Sequence, residues 1–187
     1  MNLAVVGTGY VGLVTATCFA ELGHTVVGVD IDRKKIGMLQ EGKSPIYEPG
    51  LEELIVKMLE EKHLSFTTDL ASVIADAQVI FCAVATPPGE GFKADLRAVF
   101  SVAEQVATLA EETVIFVTKS TVPVGTGKEC EKRMNAILKE RGKSFTIPVV
   151  SNPEFLREGL AVADTLSPDR IVVGINCLLY TSPSPRD

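Results

Sequence analysis

The sequence predicts a doubly wound α/β fold, a mainly parallel sheet with helices on both faces. Three observations carry this expectation. Short runs rich in Val and Ile alternate with longer segments of helical period, the pattern of right-handed β-α-β crossovers that build parallel sheets. The runs show little polar alternation, as strands do when helices cover both faces. The first run also passes straight into a glycine-rich turn, "GTGYVG".

Taken in order, "LAVVG" reads as the first strand and "YVGLVTATCFAEL" as the helix after it. "TVVGVD" is the second strand and "DRKKIGMLQEG" the second helix. Pro45, Pro49 and Gly50 punctuate the loop "GKSPIYEPG" before "LEELIVKMLEEK" resumes a helical period. "AQVIFCAVA" is a strand followed by the flexible "TPPGEGFKADL", which therefore lies at the carboxyl edge where open α/β sheets bind ligands. "ETVIFVTKS", "IPVVSN" and "RIVVG" complete the strands. From about Asn176 the pattern breaks into "CLLYTSPSPRD". Residues 1–175 are accordingly expected as one domain and 176–187 as an anomalous, disordered tail.

The 187 residues suffice for one buried core and little more. A net charge of −6 argues against nucleic acid as a partner, because phosphate-backbone binders need clustered Lys and Arg. The longest apolar run, Val79 to Ala85, is far short of the roughly 20 residues that span a bilayer. The N-terminus lacks the basic region of a signal peptide, so a cytoplasmic location is expected. Cys18, Cys82, Cys130 and Cys177 show no C-x-x-C spacing; reduced, mostly buried thiols and no metal site are expected.

Gly7, Gly9 and Gly12 form G-x-G-x-x-G between a strand and a helix, and a second strand ends in Asp30, roughly 20 residues further on. In that context each glycine has its own role, with a tight turn at Gly7, close approach of a pyrophosphate at Gly9 and helix-to-strand packing at Gly12. The helix that opens at Tyr10 and Val11 offers unpaired N–H groups to phosphates. Asp30 suits the adenosine ribose hydroxyls and would repel a 2′-phosphate, favouring NAD over NADP. Arg33, Lys34 and Lys35 read either as a solvated helix start or as a counter-signal for NADP. The arrangement predicts a Rossmann-type dinucleotide site rather than a purely structural glycine turn.

In "TKSTVPVGTG", Lys119, Ser120 and Thr121 stand at the carboxyl edge, with Pro123 and Gly125 shaping the turn into the next helix. A hydroxyl there can cap the helix, but two hydroxyls and a lysine exceed that need. In "SNPEFLREG", Glu154 and Glu158 are spaced i, i+4, which predicts two carboxylates on one face of a helical turn. They read either as an exposed face with Arg157 as ion-pair partner or, beside Phe155, as a general acid or base.

"VVGTGYVGLV", "PIYEPGL", "KSTVPVGT", "SNPEFLREG" and "PDRIVVG", in that order, resemble the N-terminal domain of the UDP-glucose/GDP-mannose dehydrogenase family. The resemblance runs from Met1 to about Ile175. It implies an NAD-dependent four-electron oxidation of a sugar nucleotide's primary alcohol to a carboxylate, as from UDP-glucose to UDP-glucuronate. It implies NAD contacts at Val11, Asp30, Lys35, Thr86, Thr121 and Glu158. The sugar nucleotide would border Glu154, Phe155, Leu156, Arg157 and Glu158. Glu154 would be the general base that hydrolyses a thioester, and Thr121 would organise the water and proton relay. The family's nucleophilic Cys motif has no match here, so a central helix and a C-terminal sugar-nucleotide domain are expected to be missing and the chain inactive alone. The family resemblance also implies a homo-oligomer for the complete protein. GDP-mannose or a UDP-N-acetyl-hexosamine is the alternative substrate, and a non-catalytic NAD-binding module the alternative class.

Overall fold

In the computed structural model, which describes residues 1–89, 91 and 93–175, the alternation of apolar runs and helical segments becomes one seven-stranded sheet. The strands are β1 (Asn2–Val6), β2 (Thr25–Val29), β3 (Leu64–Thr67), β4 (Val79–Cys82), β5 (Ile115–Thr118), β6 (Val149–Ser151) and β7 (Gly174–Ile175). Their order is β3-β2-β1-β4-β5-β6-β7. All neighbours are parallel except β6 and β7. The chain winds outward from β1 in one direction and then from β4 in the other, so the switch point lies between these two strands. This is the expected doubly wound sheet.

Helices α1 (Tyr10–Glu21), α2 (Arg33–Gln40), α3 (Leu51–Glu60) and α7 (Ala161–Leu166) contribute to one core with Leu3, Val5 and Val26. Helices α4 (Ala71–Ile74), α5 (Arg97–Leu109) and α6 (Thr126–Glu140) contribute to the other with Ala4, Val6 and Ile80. Alternate residues of β1 thus enter opposite cores, which is why its sequence is apolar throughout. α1 is buried along nearly its whole length, wedged between the sheet, α3 and α7. α2 starts where Asp32 caps the N–H groups of Lys34 and Lys35.

Register aligns the carboxyl ends. Val6 pairs with Val29 and Cys82, Cys82 with Thr118, and Thr118 with Ser151. Gly7, Asp30, Ala83, Lys119 and Asn152 therefore leave the sheet along one line.

Two expectations change. "RIVVG" is not a full strand: only Gly174–Ile175 pairs, antiparallel to β6, and Ile171, Val172 and Val173 are exposed. Asn152 Nδ2 donates to the Val172 carbonyl at 2.9 Å, a side-chain contact that substitutes for a ladder. The sequence pattern also misses β3 and α4. The predicted tail, with Cys177, lies outside the described residues. Cys18, Cys82 and Cys130 are free and buried, as expected. Among the described residues, no helix is long and apolar enough to cross a membrane.

Candidate functional site

Strand β1 ends in a turn that only glycine fits. Gly7 has φ +97°, and a Cβ there would stand 2.8 Å from the Ala83 carbonyl oxygen. A Cβ on Gly12 would stand 1.8 Å from the Gly7 carbonyl oxygen, so Gly12 lets α1 lie against the turn as expected. Gly9 differs: its φ is an ordinary −73°, and nothing lies within 4 Å of a Cβ built on it. The Gly7 and Thr8 N–H groups are taken by the Val29 carbonyl and Asp30, and the bare Gly9 with the uncapped start of α1 forms an open cradle of backbone N–H groups. That donor set fits a pyrophosphate.

Asp30 follows the last residue of β2. Its Oδ2 accepts the Thr8 N–H at 2.8 Å and hydroxyl at 2.9 Å and the Lys35 ammonium at 2.7 Å; its Oδ1 accepts the Asp32 N–H at 3.0 Å. Burial pushes this carboxyl's pKa up, but Lys35 and the Asp32 and Thr8 donors outweigh it and hold the pKa below the usual value. Asp30 is therefore a fixed carboxylate at the β2 end of the cradle. Lys35, which the sequence presents as solvated or as a phosphate counter-signal, directs its charge at Asp30.

A cleft of about 880 Å³ runs along this edge. It brings together Gly7, Gly9, Tyr10, Val11, Asp30 and Lys35 from the first half with Thr86, Thr121 and Glu154 from the second. The Thr86 hydroxyl donates to the Thr121 carbonyl at 3.1 Å, joining the loops after β4 and β5. The Ser120 hydroxyl donates to the Val84 carbonyl at 2.6 Å. One wall has no counterpart in the sequence reading: α5 contributes Ala98, Ser101 and Gln105, on a helix whose pattern signals only an amphipathic face.

A second cleft of about 620 Å³ holds Glu154, Phe155, Leu156 and Arg157 beside Asn152 and Arg170. Lys119 and Glu154 line both clefts. Lys119 Nζ donates to Asn152 Oδ1 at 3.3 Å. Burial depresses the Lys119 pKa, opposed by the charge of Glu154.

The structure corrects the helical turn expected to carry Glu154 and Glu158. Residues 152–157 are irregular, and α7 begins only at Ala161. Pro153 precedes Glu154, whose Oε2 accepts the Leu156 N–H at 2.6 Å, a local bond that competes with helix. Glu158 lines neither cleft. Arg157 pairs with Asp164, Nη2 to Oδ1 2.6 Å, rather than with either glutamate.

Glu48 is the residue that sequence reading misses. It is buried, and its carboxylate accepts the Tyr10 hydroxyl, the Gly159 N–H at 2.8 Å and the Ala161 N–H at 2.8 Å. The only sequence signal is a carboxylate between Tyr47 and Pro49 in a proline-punctuated loop.

Residues 1–178 match the family model described as UDP-glucose/GDP-mannose dehydrogenase family, NAD binding domain. A UDP-glucose 6-dehydrogenase of Pseudomonas aeruginosa is 50% identical over 174 residues, 93% of this chain and 38% of that protein. One of Rhizobium meliloti is 47% identical over 178 residues, 94% of this chain and 40% of that protein. A solved UDP-glucose dehydrogenase from Pyrobaculum islandicum has a TM-score of 0.86 at 41% identity, covering 94% of this chain and 40% of that one. A solved GDP-mannose dehydrogenase from Pseudomonas aeruginosa has a TM-score of 0.86 at 36% identity, covering 94% and 41%. The chain thus spans about 40% of the length of such relatives.

Proposed function

The chain belongs to the UDP-glucose/GDP-mannose dehydrogenase family and contains its NAD-binding domain, and on that premise we propose that it forms the NAD site and one wall of the active site of an enzyme that oxidises UDP-glucose to UDP-glucuronate. The observation that carries the reading is the shared wall: Lys119 and Glu154 line both the cleft built on the glycine turn and a second cleft that holds Asn152, Arg157 and Arg170. A hydride donor and its acceptor need such adjoining sites.

Bound NAD supplies the hydride acceptor, twice for each alcohol taken to a carboxylate. The chain's own residues do the rest of the work on this side. Gly7 sets the turn, and Gly9 and the N–H groups of α1 hold the pyrophosphate, with Tyr10, Val11 and Thr86 as walls. Asp30 takes the ribose hydroxyls, and Lys35 keeps it ionised. Glu154 stands at the wall between the clefts and activates water as general base, and Thr121, which lines the first cleft, orients it. Phe155, Leu156 and Arg157 border the sugar nucleotide. Burial raises the Cys18 and Cys82 thiols to about 12 and the Cys130 thiol to about 11. A covalent thiol step therefore draws on none of these three.

Fold does not choose between sugar nucleotides, since the UDP-glucose and GDP-mannose dehydrogenase structures have equal TM-scores. Sequence identity favours UDP-glucose, 41% against 36% between these two structures, with 50% and 47% for the UDP-glucose 6-dehydrogenases of Pseudomonas aeruginosa and Rhizobium meliloti. Calorimetric titration with NAD tests the cofactor half, and absence of heat at millimolar NAD overturns it. Titration of the complete NAD-loaded protein with UDP-glucose and GDP-mannose tests the substrate, and tighter GDP-mannose binding overturns that assignment.

A further inference from the structure

Glu48 is a buried carboxylate without a cation to pair with among the described residues. Its charge is met by one phenol and two backbone N–H groups drawn from separate parts of the chain. Tyr10 opens α1, and its ring lines the NAD cleft. Gly159 and Ala161 close the irregular segment that carries Glu154. An apolar side chain of similar volume would fill the space but leave the Tyr10 hydroxyl and the Gly159 and Ala161 N–H groups without their acceptor. What a carboxylate adds is direction. The Tyr10 hydroxyl and the Gly159 N–H bond the same oxygen, Oε2, so a displacement of the phenol is felt at the atom that holds Gly159.

We infer that Glu48 is a positioning residue that links the NAD cleft, through Tyr10, to the segment carrying Glu154, so that filling the cleft steadies that segment. The link rests on the proposed NAD site and goes beyond it, since it assigns a role to a residue that touches neither cleft. It also gives the loop after α2 a function: it carries the carboxylate to a point between the start of α1 and the segment that leads into α7. Tyr10 bears the mark of this contact. Burial, then the hydrogen bond to Glu48 and its charge, push the phenol up to about 12.

The test uses the full chain and three proteins: the unaltered one, Tyr10→Phe and Glu48→Gln. Tyr10→Phe keeps the ring in the cleft and leaves Glu48 bonded to Gly159 and Ala161, so its fold survives even if Glu48→Gln does not fold. Calorimetry first establishes NAD binding by the unaltered chain. Amide exchange at Gly159 and Ala161 is then followed by NMR with and without NAD. In the unaltered chain NAD is expected to slow both by about fivefold or more, the lower end of measurable coupling between sites. In Tyr10→Phe the slowing at Gly159 and Ala161 is lost while that at the start of α1 is kept. In Glu48→Gln the Tyr10 phenol, read by ultraviolet titration, returns toward the ordinary value of about 10. If NAD binds and Tyr10→Phe retains the slowing at Gly159, the link is overturned and the NAD site stands. If the unaltered chain shows no NAD heat, the NAD site and the link fall together.

Discussion

The Lys35 ammonium lies 2.7 Å from Asp30 Oδ2, so the carboxylate that follows β2 and would meet the cofactor's ribose carries its own counter-ion. Asp30 is held below its usual pKa; a lowered carboxyl stabilises fully above the unfolded value of about 3.9 and loses that contribution as pH falls through the folded value. Ribose binding is therefore expected to be flat through neutral pH. Asp30→Ala should remove charge-assisted bonds worth about 1.5–3 kcal/mol, weakening NAD roughly 10- to 150-fold, and should narrow the preference over NADP. Lys35→Met leaves Asp30 unneutralised and should widen that preference. Calorimetry with both cofactors checks this; tighter NADP binding by Lys35→Met would contradict it.

Gly9 and Gly12 separate cofactor binding from folding. Gly9→Ala meets nothing within 4 Å and has an ordinary φ, so stability should change by less than about 1 kcal/mol, while the methyl occupies the pyrophosphate approach and NAD affinity falls. Gly12→Ala sets a methyl 1.8 Å from the Gly7 carbonyl oxygen, which only backbone movement can relieve. It should destabilise by about 3 kcal/mol or more, at or beyond the upper end of overpacking. Thermal melts and NAD titrations of the two variants should show opposite patterns.

Lys119 should reveal itself through pH. Burial lowers its pKa in the folded chain, so the penalty for burying its charge is fully present below the folded value. That penalty fades as pH rises toward the unfolded value near 10.4. Lys119→Met should therefore stabilise the chain at neutral pH, by an amount that shrinks in alkali. Denaturant midpoints across the pH range check this. A constant difference would mean that the gain comes from packing alone.

The sheet is legible in the sequence because β1, β2, β4 and β5 are buried on both faces and stay apolar whatever their neighbours. β3, at the sheet edge, reads Leu64 in, Ser65 out, Phe66 in, too short an alternation to stand out. The glycine cradle and Asp30 are legible because backbone geometry dictates residue type at Gly7 and Gly12. Glu48 is not, since its partners lie 38, 111 and 113 residues away and no local pattern records such pairing. The helix expected at Glu154–Glu158 fails for a related reason: i, i+4 spacing is only a condition for a shared helical face, and Pro153, the Leu156 N–H bond and Gly159 decide otherwise.

Arg157 is a sugar-nucleotide contact by family resemblance, yet its guanidinium and backbone are already tied to Asp164. Nε and Nη2 reach the two carboxylate oxygens at 3.1 and 2.6 Å, and the Arg157 N–H reaches Oδ2 at 3.0 Å. The strap closes the segment between Glu154 and α7. Arg157→Ala removes two of the three bonds and Asp164→Ala all three, so amide exchange from Arg157 to Asp164 should accelerate more in the second variant. Arg157→Lys should behave like Arg157→Ala, since an ammonium lacks the planar fork. Arg157 first, by hydrogen bonding and charge, lowers the Asp164 pKa, so the strap holds from neutral pH down into the carboxylate range and opens as pH falls through the lowered value. A sugar nucleotide that recruits Arg157 must break this pairing. Exchange at Arg157 would then rise when the ligand binds, whereas a strap that stays closed would leave it unchanged and mark Arg157 as structural.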